Sequence, residues 1–245
     1  MIALLADVHS NLEALVACVK HARESGAERF VFLGDLVGYG ADPQRVVDLI
    51  ADMAGQGAVV IKGNHDEAIA RDSLYMNETA RAAIVWTRGV LSDPAKRFLA
   101  SRPLCVKEES MCFVHASAAE PARWDYVDGP AAARRSAEAA QATYVFSGHV
   151  HDQVLYFQGR GAGMNVFRPV PGNRLPVAPH RRWLAIVGSV GQPRDGNPAA
   201  AYALFDPVRH HMIFRRIAYD NYAAAEKVRK AGLPFAPAYR LERGV

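Results

Sequence analysis

The chain has 245 residues, half of them hydrophobic, and carries 29 Lys and Arg against 25 Asp and Glu for a net charge of +4. That is enough apolar material for a sizeable core in one large domain or two small ones. The basic residues are scattered, with Arg134-Arg135, Arg181-Arg182 and Arg215-Arg216 no more than pairs, so the stripe expected of a nucleic-acid binder is missing.

Three cysteines, Cys18, Cys105 and Cys112, are an odd number at uninformative spacing. They suit ordinary buried thiols in a reduced, cytoplasmic protein rather than a disulfide framework. Met1 to Ala6 is too short for a signal peptide and lacks a basic leader. No run approaches the roughly 20 apolar residues of a membrane span.

In chain order, Ile2 to Ala6 is a continuous apolar run, as in a buried strand. Asn11 to Glu24 has helical spacing, with Leu12, Leu15, Val16 and Val19 on one face and Gly26 as the stop. Phe30 to Leu33 is a second strand, Asp42-Pro43 opens a second helix, and Ala58 to Ile61 is a third strand. This alternation predicts a sheet with helices packed on it. Residues 64–100 read mostly as helix, restarting at Asp93-Pro94. Leu104 to Val106 and Met111 to Val114 form a hairpin joined by Lys107-Glu108-Glu109-Ser110. Gly129 to Gln141 is an Ala-rich helix leading to a strand at Tyr144 to Phe146. Residues 158–180 are rich in Gly, Pro and Arg, which suggests a long excursion or extended ribbon. Trp183 to Val187, Tyr202 to Phe205 and His211 to Ile217 are expected to be strands of a second sheet, and Asn221 to Ala231 a closing helix. No internal repeat or linker is evident, so residues 1–245 are expected to form a single domain.

Chemistry concentrates in five short clusters, each directly after an apolar run: Asp7-Val8-His9, Gly34-Asp35, Gly63-Asn64-His65-Asp66, His115 and Gly148-His149-Val150-His151. Five of the nine histidines lie in them; His21, His180, His210 and His211 are assigned to surface or packing. Residues i and i+2 of a strand point to one face, so Asp7 and His9 can meet one ion, and His149 and His151, two apart after a strand with Gly148 before them, are a more specific signal of a metal site. Asp35 can bridge two cations through its two oxygens. Asn64 offers a neutral carbonyl, or else caps a helix with Asp66 and Glu67 in the first turn. His65 sits beside Asn64 in a position to lie over the site, as a general acid or as a cation facing the transition state. Taken singly, each cluster is also a turn, a cap or a satisfied core residue. Together they supply donors for two metals sharing a carboxylate, the apparatus of phosphate-ester hydrolysis.

The ordered set D-x-H, G-D, G-N-H-D, H, G-H-x-H resembles the calcineurin-like metallophosphoesterases, over essentially the whole chain. The resemblance implies an α/β fold: a four-layer α/β/β/α sandwich of two mixed sheets flanked by helices. It implies one metal held by Asp7, His9, Asp35 and His151 and another by Asp35, Asn64, His115 and His149. It also implies a hydroxide between the metals attacking phosphorus, with His65 assisting the leaving group. Mixed oxygen and nitrogen ligands suit Mn, Fe, Ni or Zn better than Ca. Ser10 and Val150 stand where glycine and threonine are frequent in the family, but neither is a ligand. G-N-H-D in place of the G-N-H-E of protein Ser/Thr phosphatases argues against a phosphoprotein substrate.

Leu33 to Pro43, Gly188 to Gly196 and Ala231 to Pro234 are similar to the small bacterial branch described as phosphodiesterases or diadenosine tetraphosphatase-like proteins. The substrate implied is a small phosphate ester or nucleotide, with no membrane and no stable nucleic-acid partner. Within this frame Arg194, on the glycine-rich loop, and Tyr39, near Asp35, are candidate substrate contacts. Asp66 and Asp152 are candidate carboxylates behind the ligands, Asp152 orienting an imidazole. A phosphomonoesterase, or a silent metal-binding scaffold, are the rival readings; a scaffold is expected to have lost His65 or several ligands, and all are present.

Overall fold

Short buried strands alternate with one-sided helices through the first half of the chain. In a computed structural model, described over residues 1–71, 76–161 and 163–245, β1 (Ile2–Leu5) is buried along its whole length. It pairs in parallel with β2 (Arg29–Phe32), which pairs in parallel with β3 (Val59–Val60). Parallel neighbours require crossovers, and two helices supply them. The first, α1 (Leu12–Glu24), is capped by the Asn11 side chain accepting from the Ala14 amide. The second, α2 (Pro43–Gly55), begins with proline, whose missing N–H costs nothing in a first turn. The apolar stripe of α1 runs through Leu12, Leu15, Cys18, Val19 and Ala22. Val16, expected on that face, is turned to solvent, because it lies 100° round the helix from Leu15.

Among the described residues the span 64–100 holds α3 (Asn64–Ala70), α4 (Glu78–Val90) and α5 (Asp93–Ala100); part of the helical stretch expected there, residues 72–75, lies outside the described residues. The expected hairpin is present as β4 (Cys105–Glu108) and β5 (Met111–Val114). After α6 (Pro130–Ala140), β6 (Tyr144–Ser147) runs parallel to β5. A strand not anticipated, β7 (Gln153–Gln158), leads into the Gly- and Arg-rich stretch, which carries β8 (Met164–Phe167) and β9 (Arg174–Pro176). These edge different sheets, so the stretch is a ribbon crossing from one sheet to the other.

The three remaining strands correct an expectation. Here β10 (Trp183–Val187) joins β6 and β7, whereas β11 (Ala200–Asp206) and β12 (His211–Ile217) join β1. They are therefore divided between two sheets, ordered β3-β2-β1-β11-β12-β9 and β4-β5-β6-β10-β7-β8. Their apolar runs are alike in sequence, and partner choice is settled by non-local packing. The expected closing helix is α7 (Asn221–Lys230), followed by an unanticipated α8 (Phe235–Arg243) in which Pro237 falls within the tolerant first turn.

Alternation within strands separates the cores. Leu4, Val31 and Leu33 pack with Phe113, Phe146, Val187 and Phe205 between the sheets. Ala3, Leu5 and Phe32 face Leu15, Val46 and Ile50 of α1 and α2, and Val145 and Ile186 face Ala133 and Ala137 of α6. The result is the expected α/β/β/α sandwich of two mixed sheets. No helix of the described residues is long and apolar enough to cross a membrane.

Candidate metal centre

The carboxyl ends of β1, β2 and β3 in one sheet, and of β5 and β6 in the other, open onto the same rim. Asp7, Asp35 and Asn64 follow the first three strands; His115, His149 and His151 follow the other two. The pleat does not aim them. Asp7, His9, Asp35, His149 and His151 all lie beyond the strand ends with φ between 48° and 71°, left-handed backbone that costs a non-glycine residue about 1–3 kcal/mol. Inter-loop hydrogen bonds hold it: the amides of Asp7, His9 and Ser10 donate to the carbonyls of Gly34, Asp35 and Leu36. Asp7 and His9 converge on one group by loop curvature and not by the i, i+2 strand rule, whereas His149 and His151 turn into different groups.

The buried donors form two adjoining groups. His151 Nε2 lies 3.5 Å from Asp7 Oδ1 and 3.2 Å from His9 Nε2. His115 Nε2 lies 3.5 Å from Asp35 Oδ2, 3.2 Å from Asn64 Oδ1 and 3.1 Å from His149 Nδ1. Asp35 Oδ2 joins the groups, 3.8 Å from His9 Nε2. Its other oxygen accepts the His65 amide at 2.8 Å, so a single oxygen faces both groups, not the two expected.

Tautomers are fixed from behind. The Nδ1–H groups of His9, His115 and His151 donate to the carbonyls of Val37, Leu33 and Gln192, at 3.2, 2.7 and 2.6 Å. Burial, with the charges of His65 and Arg194, pushes the His9 pKa well below its ordinary value; burial, Arg194 and His9 do the same to His151. These two imidazoles therefore point unprotonated Nε2 lone pairs at each other. Neither can donate to the other, and a cation satisfies both. His115 differs: burial works against its proton, but Asp35 and Asp7 outweigh that and hold its pKa at about 9. A proton there occupies the place among acceptors that a cation would take.

His65 is buried over the junction, its Nε2 4.0 Å from Asp35 Oδ2 and its Nδ1 without a partner. Burial lowers its pKa. Tyr39 packs against both His65 and His9, with ring centroids 4.7 and 4.9 Å away. Arg194 donates to Gln192 Oε1 at 3.1 Å and keeps a buried Nε unpaired.

Of the carboxylates expected behind the ligands, Asp66 is there: it accepts from the amides of Gly63 at 2.9 Å, Leu36 at 2.9 Å and Val37 at 3.3 Å, binding the Asp35 loop to the start of α3. The N-cap of α3 is Gly63 and not Asn64, which frees the Asn64 side chain for the centre. Asp152 is not behind a ligand. It pairs with Arg168 at 3.6 Å, and the adjacent His151 imidazole is oriented by the Gln192 carbonyl. Sequence reasoning missed Trp124 and Tyr126, whose rings lie against His115 at 5.9 Å and His149 at 4.1 Å. Two aromatics one residue apart in a polar loop were the available signal.

A four-layer sandwich with carboxylates and imidazoles converging on one rim of its paired sheets is the architecture of a metallophosphoesterase. A family model described as the calcineurin-like phosphoesterase superfamily domain matches residues 1–209, and the chain belongs to that superfamily. An uncharacterised protein of Methanocaldococcus jannaschii is 34% identical over 96% of this chain and 94% of its own length. A metallophosphoesterase of Sphaerobacter thermophilus superposes over 100% of this chain and 98% of its own with a TM-score of 0.88 at 33% identity. A hypothetical protein of Pyrococcus horikoshii shares the fold, with a TM-score of 0.80 at 20% identity over 100% and 99% of the two chains. The protein is a metal-dependent phosphoric ester hydrolase.

Proposed function

We propose that residues 1–245 work as one domain, a two-metal phosphodiesterase or nucleotide pyrophosphohydrolase. Asp7, His9, Asp35 and His151 would hold one divalent ion, and Asp35, Asn64, His115 and His149 the other. The observation that carries this reading is the pair of facing Nε2 atoms of His9 and His151, 3.2 Å apart with both Nδ1–H groups committed elsewhere. The mixed oxygen and nitrogen set suits Mn, Fe, Ni or Zn. Bound there, two such ions supply Lewis acidity and an activated water.

The protein's own groups divide the remaining work. Two carboxylates against two divalent charges leave the centre positive, so it attracts an anionic phosphoryl group. Arg194, with an unpaired buried Nε, is the donor for a phosphate oxygen, where a charge-assisted hydrogen bond is strongest. His65 is the proton carrier. Burial keeps it neutral in the free protein; an arriving phosphate anion favours its protonation, and the proton then passes to the departing oxygen. Tyr39 holds the His65 ring.

The test is hydrolysis by the purified protein in manganese, comparing bis(p-nitrophenyl) phosphate, p-nitrophenyl phosphate and a dinucleoside polyphosphate. Diester or polyphosphate cleavage that a chelator abolishes is the expected result. Activity on the monoester alone would make the protein a phosphomonoesterase, and no turnover with metals bound would point to the silent scaffold.

A further inference from the structure

Beside the centre lies a cavity of about 450 Å³ whose lining includes Asn64, His65 and His149 together with Tyr39, Trp124 and Tyr126. Small-molecule sites typically span ~300–1,000 Å³, and a phosphoryl group alone fills little of such a volume. Tyr126 stacks on the His149 imidazole, centroids 4.1 Å apart and planes 23° from parallel, yet remains 54% exposed. One face is used by the protein and one is open. Trp124 is half-buried, edge-on to His115.

The loop bearing these rings is tied down and strained. A short 3-10 turn, Pro121–Arg123, is bracketed by Glu120 at φ 106° and Trp124 at φ 59°. A bulky residue in that region is a true outlier. Val127, 2% exposed, anchors the loop under α6, so the aromatic pair is held at the cavity and not merely left on the surface.

We propose that Trp124 and Tyr126 form a stacking platform for the planar base of a nucleotide, so that the group leaving phosphorus is a nucleoside or nucleotide. This rests on the phosphoesterase reading of the adjoining centre. The side of the substrate is set by His65: the residue assigned to the departing oxygen lines the same cavity as the two rings. Every nucleobase offers a π-face, and alanine replacement of such a ring costs about 5- to 150-fold in affinity.

The experiment is calorimetric binding of adenosine 5′-monophosphate and ribose 5-phosphate, with manganese present, to the wild-type protein, Trp124→Ala, Tyr126→Ala and Trp124→Phe. The two ligands share a phosphate and differ by the base, so their ratio is insensitive to damage at the metal centre. The wild type is expected to prefer the adenylate by about 5- to 150-fold. Each alanine variant is expected to lower that ratio, and the phenylalanine variant to retain most of it. Equal weakening of both ligands would mean that the rings only position His115 and His149, and would overturn the proposal. So would a wild type that does not discriminate, including one that binds neither ligand. Turnover of bis(p-nitrophenyl) phosphate reports separately on the phosphoesterase reading: base preference without turnover sinks that reading alone, and turnover without base preference sinks the platform alone.

Discussion

Two imidazole nitrogens 3.2 Å apart, each denied a proton by a carbonyl behind it, are the most specific thing this chain does with a side chain. Sequence spacing located the residues, because each follows an apolar run. Their orientation was not legible: it depends on left-handed backbone at Asp7, His9, Asp35, His149 and His151, which no strand pattern encodes. Asp152 shows the same limit from the other side. Adjacent to His151 in sequence, it turns away to Arg168, while the His151 imidazole is oriented by the Gln192 carbonyl, 41 residues beyond His151. His65→Ala should lower turnover about 10²–10⁴-fold, the usual worth of a general acid, with metal content by mass spectrometry near normal; equal loss of metal would make His65 a ligand. Asp35→Asn removes half of the carboxylate charge and the shared oxygen, so both metals should be lost together; retention of one at full occupancy would show that the groups are independent.

At the level of elements, three parallel strands and two crossover helices were readable because each satisfies a local period and carries its own start and stop. Strand partnership was not. The apolar runs of β10 and β11 are interchangeable locally, and only their outer faces tell them apart: Leu184 and Ile186 pack with Ala133 and Ala137 of α6, Tyr202 and Leu204 with Leu15 and Val19 of α1. A helix terminus also proved to be part of the centre. Asp66, in the first turn of α3, accepts from three backbone amides spanning two loops. Replacing it by alanine orphans buried donors at roughly 1–3 kcal/mol each, so Asp66→Ala should lose several kcal/mol in urea unfolding and weaken metal binding although it touches no metal. Unchanged stability would show that water replaces the carboxylate. Gly63 is constrained more simply. A Cβ there would sit 2.2 Å from the Asp35 amide nitrogen and carboxylate, so no side chain fits where β3 meets the Asp35 loop.

For the whole molecule, the sandwich and the rim site are one device: parallel strands in both sheets deliver their carboxyl ends to one seam, and the acidic and imidazole groups buried there are stable together only when something positive sits among them. Ions that bind the native state alone stabilise it by about 2.7 kcal/mol each at a hundredfold excess over Kd. A chelator should therefore lower the melting temperature by roughly 5–20 °C for a chain of this size; no shift would mean that the site is empty or that the unfolded chain competes. Affinity should also rise with pH. In the metal-free protein, burial and Asp35 raise Asp7 to about 7, and the carboxylates hold His115 at about 9. Both groups carry protons below those values and must release them when a cation binds, so binding tightens from pH 6 to pH 9. His149, pushed to about 3 by burial and His115, adds nothing in that window. Titrations in buffers of different ionisation enthalpy would count the protons released.

The central claim is tested most directly by measuring manganese bound per chain alongside hydrolysis of bis(p-nitrophenyl) phosphate as metal is titrated into chelator-treated protein. Two ions per chain, with turnover appearing as the second site fills, is the predicted result. Full turnover with a single ion, or turnover that survives the chelator, would contradict the shared-carboxylate centre.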